Sequence, residues 1–238
     1  MKIFWAGDST VKQNDISSYP QTGIGQGMLL YVKKDIQIRN FAENGRSTKS
    51  FIDENRLDMI QKEIGAGDML FIQFGHNDEK PDEERHTDPD TTFKENLRKF
   101  IKVARDASAY PVLITPLYRR IFVSEHELTK DTHGEYPRAI KEVGDELNVP
   151  VIDLCEISRQ FIAKCGDEPS KRYFMHLAEK EYPNFPEGKK DNTHLRYEGA
   201  VEFAGMIASE LNKLSGIYSD ILVENKGFDE REKWLLKD

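Results

Sequence analysis

Four short clusters of polar residues and glycine together contain the groups that nucleophilic catalysis needs. They are Gly7-Asp8-Ser9-Thr10, Asn44-Gly45-Arg46-Ser47, Gly75-His76-Asn77-Asp78 and Asp191-Asn192-Thr193-His194. Each cluster alone is ordinary turn chemistry, because turns favour glycine, aspartate, serine and asparagine. In combination they supply a nucleophile, donors for an oxyanion, and a base with an orienting acid.

A serine hydroxyl is a poor nucleophile unless a neighbouring base takes its proton. We expect Ser9 to be the nucleophile and His194 to be that base. Asp191 precedes His194 by three residues, so a turn can bring its carboxylate to the other imidazole nitrogen and stabilise the imidazolium. The sequence therefore predicts a catalytic triad of Ser9, His194 and Asp191.

The same clusters contain donors for the oxyanion of a tetrahedral intermediate. We expect these donors to be the backbone N–H groups of Ser9 and Gly45 and the side-chain amide of Asn77. Glycine suits the second position because the backbone can approach a substrate without a side chain in the way.

The remaining polar residues allow more than one interpretation. Asp8 is expected to be a turn or cap residue, and His76 either contacts substrate or is a structural hydrogen-bonding residue. His126, Asp131 and His133 have neither H-E-x-x-H nor cysteine spacing, so a surface loop is favoured over a metal site. Asp191 and His194 have no evident third ligand, and the sequence predicts neither a metal nor a cofactor.

Short apolar runs alternate with helix-length segments along the chain, and this pattern indicates repeated βα units. The predicted strands are Lys2–Ala6, Ile36–Asn40, Met69–Phe74, Tyr110–Thr115 and Val149–Leu154. The predicted helices are Gly27–Lys33, Phe51–Ile64, Thr91–Ala107, Tyr136–Leu147 and Tyr197–Leu214. Such a pattern predicts an α/β fold, a three-layer α/β/α sandwich around a flavodoxin-like, five-stranded parallel sheet. Ligands collect at the C-terminal ends of such strands, where three of the four clusters lie.

The four clusters, in this order, resemble the blocks of the SGNH hydrolase superfamily, also called GDSL-like esterases. Within it, the sequences at Ser9, His76 and His194 look most like the rhamnogalacturonan acetylesterase branch of carbohydrate esterases. The segment Thr22–Gly27 is also similar to that branch, except that Ile24 stands where tryptophan is expected. The resemblance implies a cofactor-free serine esterase that removes O-acetyl groups from plant cell-wall saccharides, with acetylated rhamnogalacturonan (pectin) oligosaccharides as the expected substrate.

Six cations lie in the segments expected around the site: one adjoins the second cluster, two follow the fourth predicted strand, and three flank Asp191 and His194. They are Arg46, Arg119, Arg120, Lys189, Lys190 and Arg196. One interpretation is a local positive rim that binds galacturonate carboxylates, and the other is a set of solvated loop charges that share no field.

The length of 238 residues favours one domain, which we expect to span residues 1–214 and to be followed by a tail at 215–238. A net charge of -8 opposes nucleic acid as a partner. Mean hydropathy is -0.65, and no apolar run approaches the ~20 residues of a membrane helix.

Cys155 and Cys165 lie in a predicted helix that would separate them by ~15 Å, so no disulfide is expected. The short apolar start lacks a signal-peptide core, so a cytoplasmic location is expected.

Two rival functions remain. A flavodoxin-like binding module would use Gly7–Thr10 to hold phosphate or flavin, but the loop lacks a second glycine and this leaves Asp191 and His194 without a role. An SGNH esterase, thioesterase or lysophospholipase acting on lipid or acyl thioesters would need apolar surface for an acyl chain. The segments expected around the site are instead rich in charge, with interspersed aromatic residues.

Overall fold

The structure, a computed structural model, describes residues 1–223. Its strands within that range are β1 (Lys2–Gly7), β2 (Gln37–Asn40), β3 (Met69–Gln73), β4 (Tyr110–Ile114), β5 (Phe122–Ser124), β6 (Glu127–Leu128), β7 (Val151–Ile152), β8 (Phe174–Leu177) and β9 (Lys189–Leu195). Its helices within that range are α1 (Ile24–Gly27), α2 (Thr48–Asp53), α3 (Arg56–Glu63), α4 (Thr92–Asp106), α5 (Tyr136–Leu147), α6 (Leu154–Cys165), α7 (Asp167–Ser170), α8 (Tyr197–Leu214) and α9 (Ile217–Asp220).

Among the described residues, five parallel strands form the main sheet in the order β2-β1-β3-β4-β7. All five strands that the apolar runs predict are present. The parallel direction brings the C-terminal ends of β1, β2 and β3 to one edge, so the loops that follow these strands are neighbours.

Alternate residues of the strands pack on opposite faces of the sheet. On one face Trp5 and Phe71 join a buried cluster with residues of α1, α6 and α8. On the other face Phe4 and Leu70 join a second cluster with residues of α2, α3, α4 and α5. The predicted three-layer α/β/α sandwich is therefore confirmed.

Two predicted helices differ from the structure. In place of Gly27–Lys33, the short α1 is followed by a 3₁₀ turn at Met28–Leu30. Glycine there serves packing, since a Cβ on Gly27 would lie 2.2 Å from the backbone oxygen of Ala200 in α8. In place of Phe51–Ile64, two helices meet at Asn55, whose φ of 60° interrupts the helix. The other predicted helices fit the pattern well: α5 and α8 have the predicted bounds, and α4 is one residue shorter at each end.

Two antiparallel pairs, β5 with β6 and β8 with β9, lie outside the main sheet and were not predicted. The β9 segment contains Lys189, Lys190, Asp191 and Asn192 in succession, so it has no apolar alternation from which a strand could be recognised. The β8–β9 hairpin matters most for function because β9 carries Asp191 and His194.

Part of the predicted tail contacts the body of the protein. The backbone N–H of Lys33 donates to Ile221 O at 2.9 Å, and that of Val223 donates to Tyr31 O at 2.9 Å. Residues 224–238, the rest of that tail, lie outside the described residues. Cys155 and Cys165 are free thiols in α6, as expected. No helix within residues 1–223 has the length and apolar character needed to cross a bilayer.

Candidate active site

Ser9 lies in a tight turn directly after β1. The carboxylate of Asp8 is fully buried and its Oδ1 accepts the backbone N–H of Thr10 at 2.9 Å, while Asp8 O accepts the N–H of Val11 at 3.1 Å. Asp8 is thus a turn residue, as the sequence indicates. The turn leaves the Ser9 side chain partly exposed at the C-terminal edge of the sheet.

Ser9, His194 and Asp191 form a continuous hydrogen-bonded chain. Ser9 Oγ lies 2.9 Å from His194 Nε2, and His194 Nδ1 lies 2.7 Å from Asp191 Oδ2. The other carboxylate oxygen of Asp191 accepts the backbone N–H groups of Thr193 and His194, both at 2.9 Å. The three side chains that the sequence singles out therefore meet, although Ser9 and His194 are 185 positions apart.

Asp191 is held as a carboxylate. Burial alone would raise its pKa, but the hydrogen bond and charge of His194 and the two backbone donors outweigh burial and hold the pKa of Asp191 well below its ordinary value. Lys189 Nζ adds a contact of 3.2 Å to Asp191 Oδ2, the oxygen that also faces the imidazole. A carboxylate in this position can fix the tautomer of the imidazole and stabilise its protonated form.

The backbone N–H groups of Ser9 and Gly45 have no hydrogen-bond partner among residues 1–223. Gly45 has a φ of +75°, and a Cβ placed on it would meet nothing within 4 Å, so this backbone faces open space. Asn77 is buried and its Nδ2 donates to Arg46 O at 3.1 Å, which uses one of its two N–H bonds. The second N–H remains available for a ligand.

Hydrogen bonds join the three loops that follow β1, β2 and β3. The backbone N–H of Glu43 donates to Gly7 O at 3.2 Å, which ties the second loop to the first strand. Asn77 ties the third loop to the second, and so does Asp78, whose Oδ1 accepts from Thr48 N at 2.9 Å. The relative positions of Ser9, Gly45 and Asn77 are therefore set by direct contacts between their loops.

His76 lies beneath this edge and is only 4% exposed. Its Nδ1 is 3.3 Å from Asp8 Oδ2, and its ring meets that of His133 edge to face at 4.6 Å. Although burial acts to raise the pKa of Asp8, His76 and the Thr10 donors lower it. This burial favours the structural interpretation of His76 over substrate contact.

His133 corrects a second expectation, since it is 2% exposed and not part of a surface loop. Its Nε2 lies 2.8 Å from Leu117 O, and burial lowers the pKa of His133 to about 4. The ring is therefore neutral near pH 7 and donates to Leu117. His126 is exposed as expected, and the described residues contain no group of three or more metal-binding side chains.

Asp78 is the second fully buried carboxyl group at this edge. Its Oδ1 accepts from Thr48 N, Thr48 Oγ1 and Thr87 Oγ1, whereas Oδ2 has no partner within the described range. Burial raises the pKa of Asp78 to about 7 despite these hydrogen bonds, and the nearby Asp8 adds to the rise. Asp78 is therefore poised to change its charge near neutral pH.

Arg120 is 3% exposed and anchors the segment that carries Asp191 and His194. Its guanidinium donates to Asn192 Oδ1 and Ser170 Oγ, both at 2.9 Å, and also pairs with Asp167. Its backbone N–H donates to Asn192 O at 2.9 Å. The expectation that Arg120 lies on a substrate-facing rim is wrong, because its donors are spent on this buried clamp.

Sequence reasoning missed the residues that complete the clamp. His176 on β8 places Nε2 2.7 Å from Asn192 Oδ1, so one amide oxygen joins the two strands of the hairpin and Arg120. The sequence shows Asn192 between Asp191 and Thr193, but it contains no signal that links Asn192 to Arg120.

The remaining candidate cations do not form a shared rim. Arg46 pairs with Glu54 at 2.7 Å, Arg119 with Glu79 at 2.5 Å, and Arg196 with Glu181 at 3.4 Å. Each charge is thus largely met by an adjacent carboxylate. Lys190 is exposed, and strand alternation directs it away from the side on which Lys189 contacts Asp191. Lys189 alone among the six touches the hydrogen-bonded chain of Ser9, His194 and Asp191.

Comparison with known proteins places this geometry in a family. The model of the GDSL-like lipase/acylhydrolase family matches residues 6–200, a span that includes all four clusters. The chain belongs to the GDSL-like lipase/acylhydrolase family. The resemblance to SGNH hydrolases that the clusters indicate is therefore confirmed.

Curated relatives within this GDSL-like family narrow the comparison. The chain is 41% identical over 227 residues to the rhamnogalacturonan acetylesterase RhgT of Bacillus subtilis, a match covering 95% of this chain and 96% of the relative. It is 37% identical to the probable rhamnogalacturonan acetylesterase YesY of the same organism, covering 94% and 98%.

Solved structures agree on the GDSL-like fold. The crystal structure of the YxiM protein of Bacillus subtilis superposes with a TM-score of 0.77 at 26% identity, over 90% of this chain and 56% of that one. The acetylxylan esterase Axe2 of Geobacillus stearothermophilus superposes with a TM-score of 0.61 at 17% identity, over 88% and 93%. At that identity Axe2 supports the fold alone.

Proposed function

We propose that this chain is a serine esterase that removes O-acetyl groups from plant cell-wall saccharides, with acetylated rhamnogalacturonan oligosaccharides as its substrates. The observation that carries the proposal is the contact chain of 2.9 and 2.7 Å from Ser9 through His194 to Asp191. The 41% identity to a rhamnogalacturonan acetylesterase over 95% of the chain supports the substrate class.

In this mechanism Ser9 Oγ attacks the carbonyl carbon of the acetyl ester while His194 Nε2 takes the hydroxyl proton. Asp191 keeps the proton of His194 on Nδ1 and stabilises the imidazolium that forms. Collapse of the tetrahedral intermediate breaks the bond to the sugar oxygen, which receives the proton from His194. Water then attacks the acetyl-Ser9 ester by the same route and releases acetate.

The oxyanion accepts hydrogen bonds from the unpaired backbone N–H groups of Ser9 and Gly45 and from the second N–H of Asn77. These donors are fixed by the contacts between their loops before substrate arrives, so little reorganisation is needed as charge develops. No metal or cofactor takes part in any of these steps.

The test is acetate release from acetylated rhamnogalacturonan, acetylated xylan and a series of p-nitrophenyl esters from acetate to hexanoate. We expect rhamnogalacturonan to be the best polymer-derived substrate and kcat/KM to fall sharply by butyrate. A preference for long acyl chains would replace the proposal with a lipid esterase.

Ser9→Ala supplies the mechanistic control. We expect it to lower kcat by at least ~10⁴-fold and to leave the melting temperature nearly unchanged, because the hydroxyl of a partly exposed turn residue contributes little packing. Retained activity in a preparation free of contaminating esterase would refute the assignment of the nucleophile.

A further inference from the structure

Lys189 lies between Asp191 and the loops around the site. Its Nζ is 3.2 Å from Asp191 Oδ2, 3.4 Å from Gln21 Oε1 and 5.3 Å from the centroid of the Phe185 ring. The side chain is 28% exposed, so a solute can reach it. A lysine on a four-carbon stem can also change partners without any movement of the backbone.

The contact has a direct consequence for the base. Asp191 Oδ2 is also the oxygen that faces His194 Nδ1 at 2.7 Å, so the ammonium and the imidazole share one acceptor. A positive charge at this point opposes protonation of the imidazole, both by direct repulsion and by drawing on the carboxylate charge. Lys189 in its resting position therefore competes with His194 for the carboxylate of Asp191.

Other charges near the pair are already compensated. Behind Ser9, the Asp8 carboxylate contacts His76. On β8, His176 contacts Asn192, and burial lowers the pKa of His176. Arg120 is paired with Asp167. After β9, Arg196 is paired with Glu181 and Glu198. Lys189 is thus the charged group with both a free path to solvent and a contact to the pair.

The same side of the site offers a wall for a sugar ring. Tyr19 is 47% exposed and meets Tyr182 edge to face at 5.7 Å, and Asn184 Nδ2 ties the two loops by donating to Tyr19 O at 2.9 Å. Aromatic rings beside a cation suit a pyranose that bears a carboxylate. Gln21, two residues after Tyr19, is a neutral partner that Lys189 Nζ contacts at 3.4 Å.

We propose that Lys189 is a switch that couples recognition of a uronosyl carboxylate to the base strength of His194. A carboxylate on the saccharide next to the reacting acetyl group takes the ammonium from Asp191. Asp191 then gives its full charge to His194, so proton removal from Ser9 is favoured when a uronate-containing substrate is bound. This inference rests on the proposed esterase function and identifies what part of the substrate that site recognises.

The coupling is measured first without turnover. In Lys189→Met, NMR should show the imidazole of His194 titrating at a pH higher by about 0.5 unit or more, because a nearby repelling charge has been removed. Lys190→Met is the matched control, as it removes the adjacent lysine on the other side of β9, and it should titrate like the wild type. Equal titration in the wild type and both variants would refute the coupling, whatever the substrate of the enzyme.

Recognition is measured by kinetics with two substrates. In Lys189→Met, KM for an acetylated galacturonate oligosaccharide should rise about 10-fold, while KM for a neutral acetylated xylo-oligosaccharide should not change. The acid limb of the kcat/KM profile for p-nitrophenyl acetate should move to higher pH, as in the NMR titration. Lys189→Arg keeps the cation and should keep the preference for uronate.

Separate outcomes identify which proposal fails. Wild-type protein that releases no acetate from any of these esters would remove the proposed function, whereas the NMR titration would still decide the coupling. Wild-type activity with equal KM changes for both oligosaccharides in Lys189→Met would leave the esterase intact and refute recognition of the carboxylate by Lys189.

Discussion

The two halves of the site are held in different ways. On the nucleophile side, Asp8 and Asp78 have no exposed surface, and His76 has 4%. On the base side, the Asp191 side chain is 17% exposed and that of His194 is 30%. The first half is therefore part of the protein interior, whereas the second is a hairpin laid against its edge.

The two sides of the site therefore have different roles. The loops after β1, β2 and β3 follow strands of the main sheet and are locked together by hydrogen bonds such as Glu43 N to Gly7 O. The β8–β9 hairpin lies outside the main sheet, is bound by the distant Arg120 and carries the partly exposed Lys189 beside Asp191. We infer that the nucleophile side fixes geometry and that the base side responds to substrate.

The largest test of the nucleophile side is Asn77→Ala. Loss of one oxyanion donor should lower kcat by about 10²- to 10³-fold with a smaller change in KM, because the hydrogen bond forms fully only in the transition state. Steady-state kinetics on p-nitrophenyl acetate measure both constants. A change confined to KM would show that Asn77 is not an oxyanion donor and would contradict the role given to the nucleophile side.

The corresponding test of the base side is Arg120→Met. It removes the clamp on Asn192 but no group that touches substrate, so kcat should fall roughly 10-fold, with a melting temperature lower by several degrees. Arg120→Lys should not restore activity, because one ammonium cannot reach Asn192, Ser170 and Asp167 together.

Arg159→Met is the matched control for Arg120, because it breaks a surface pair with Glu156 on α6. It should leave both kcat and the melting temperature near the wild-type values. Activity of Arg120→Met at the wild-type level would mean that the hairpin holds its position without the clamp.

The smallest effect on activity is expected from Asp78→Asn, whose readout is stability against pH. The pKa of Asp78 is raised to about 7 in the folded protein, so the folded state holds a proton that the unfolded chain has lost above about pH 4. The stability that this protonated carboxyl group contributes is fully present below about pH 4, and it is lost as pH rises to about 7.

Asparagine imitates the protonated carboxyl group at every pH. Wild-type protein should therefore lose up to about 4 kcal/mol more stability than Asp78→Asn between pH 4 and pH 7. Urea unfolding at a series of pH values measures the difference. Parallel pH profiles for the two proteins would show that Asp78 is charged throughout and that the nucleophile edge tolerates a buried anion.

The difference between the halves also explains what the sequence could predict. Strands β1, β3 and β4 are nearly continuous apolar runs, and α5 and α8 have clear amphipathic spacing, so these elements were predicted well. Ser9 and Asn77 follow β1 and β3, and Gly45 follows the more polar β2, so the parallel order made their common edge predictable. The contact of His194 with Ser9 followed from chemistry and family resemblance, not from local pattern.

The parts that were not predicted depend on tertiary contacts. His133 lies in a polar stretch, yet it is buried because Leu117 O accepts from one nitrogen and the His76 ring covers the other side. In the sequence Arg120 resembles a surface cation, because its partners Asp167 and Asn192 approach it only in the folded protein. In both cases the partner is far away in sequence or lies in an element without apolar periodicity, so no local signal identifies it.

The separation of Ser9 and His194 by 185 positions has a consequence for synthesis of the protein. Chains fold from the N-terminus as they emerge, and β7, the last strand of the main sheet, ends at Ile152. The complete sheet and the nucleophile turn are therefore translated before the hairpin that brings the imidazole. A nascent chain that ends before residue 194 lacks the base, so catalytic competence arises in one late step of translation.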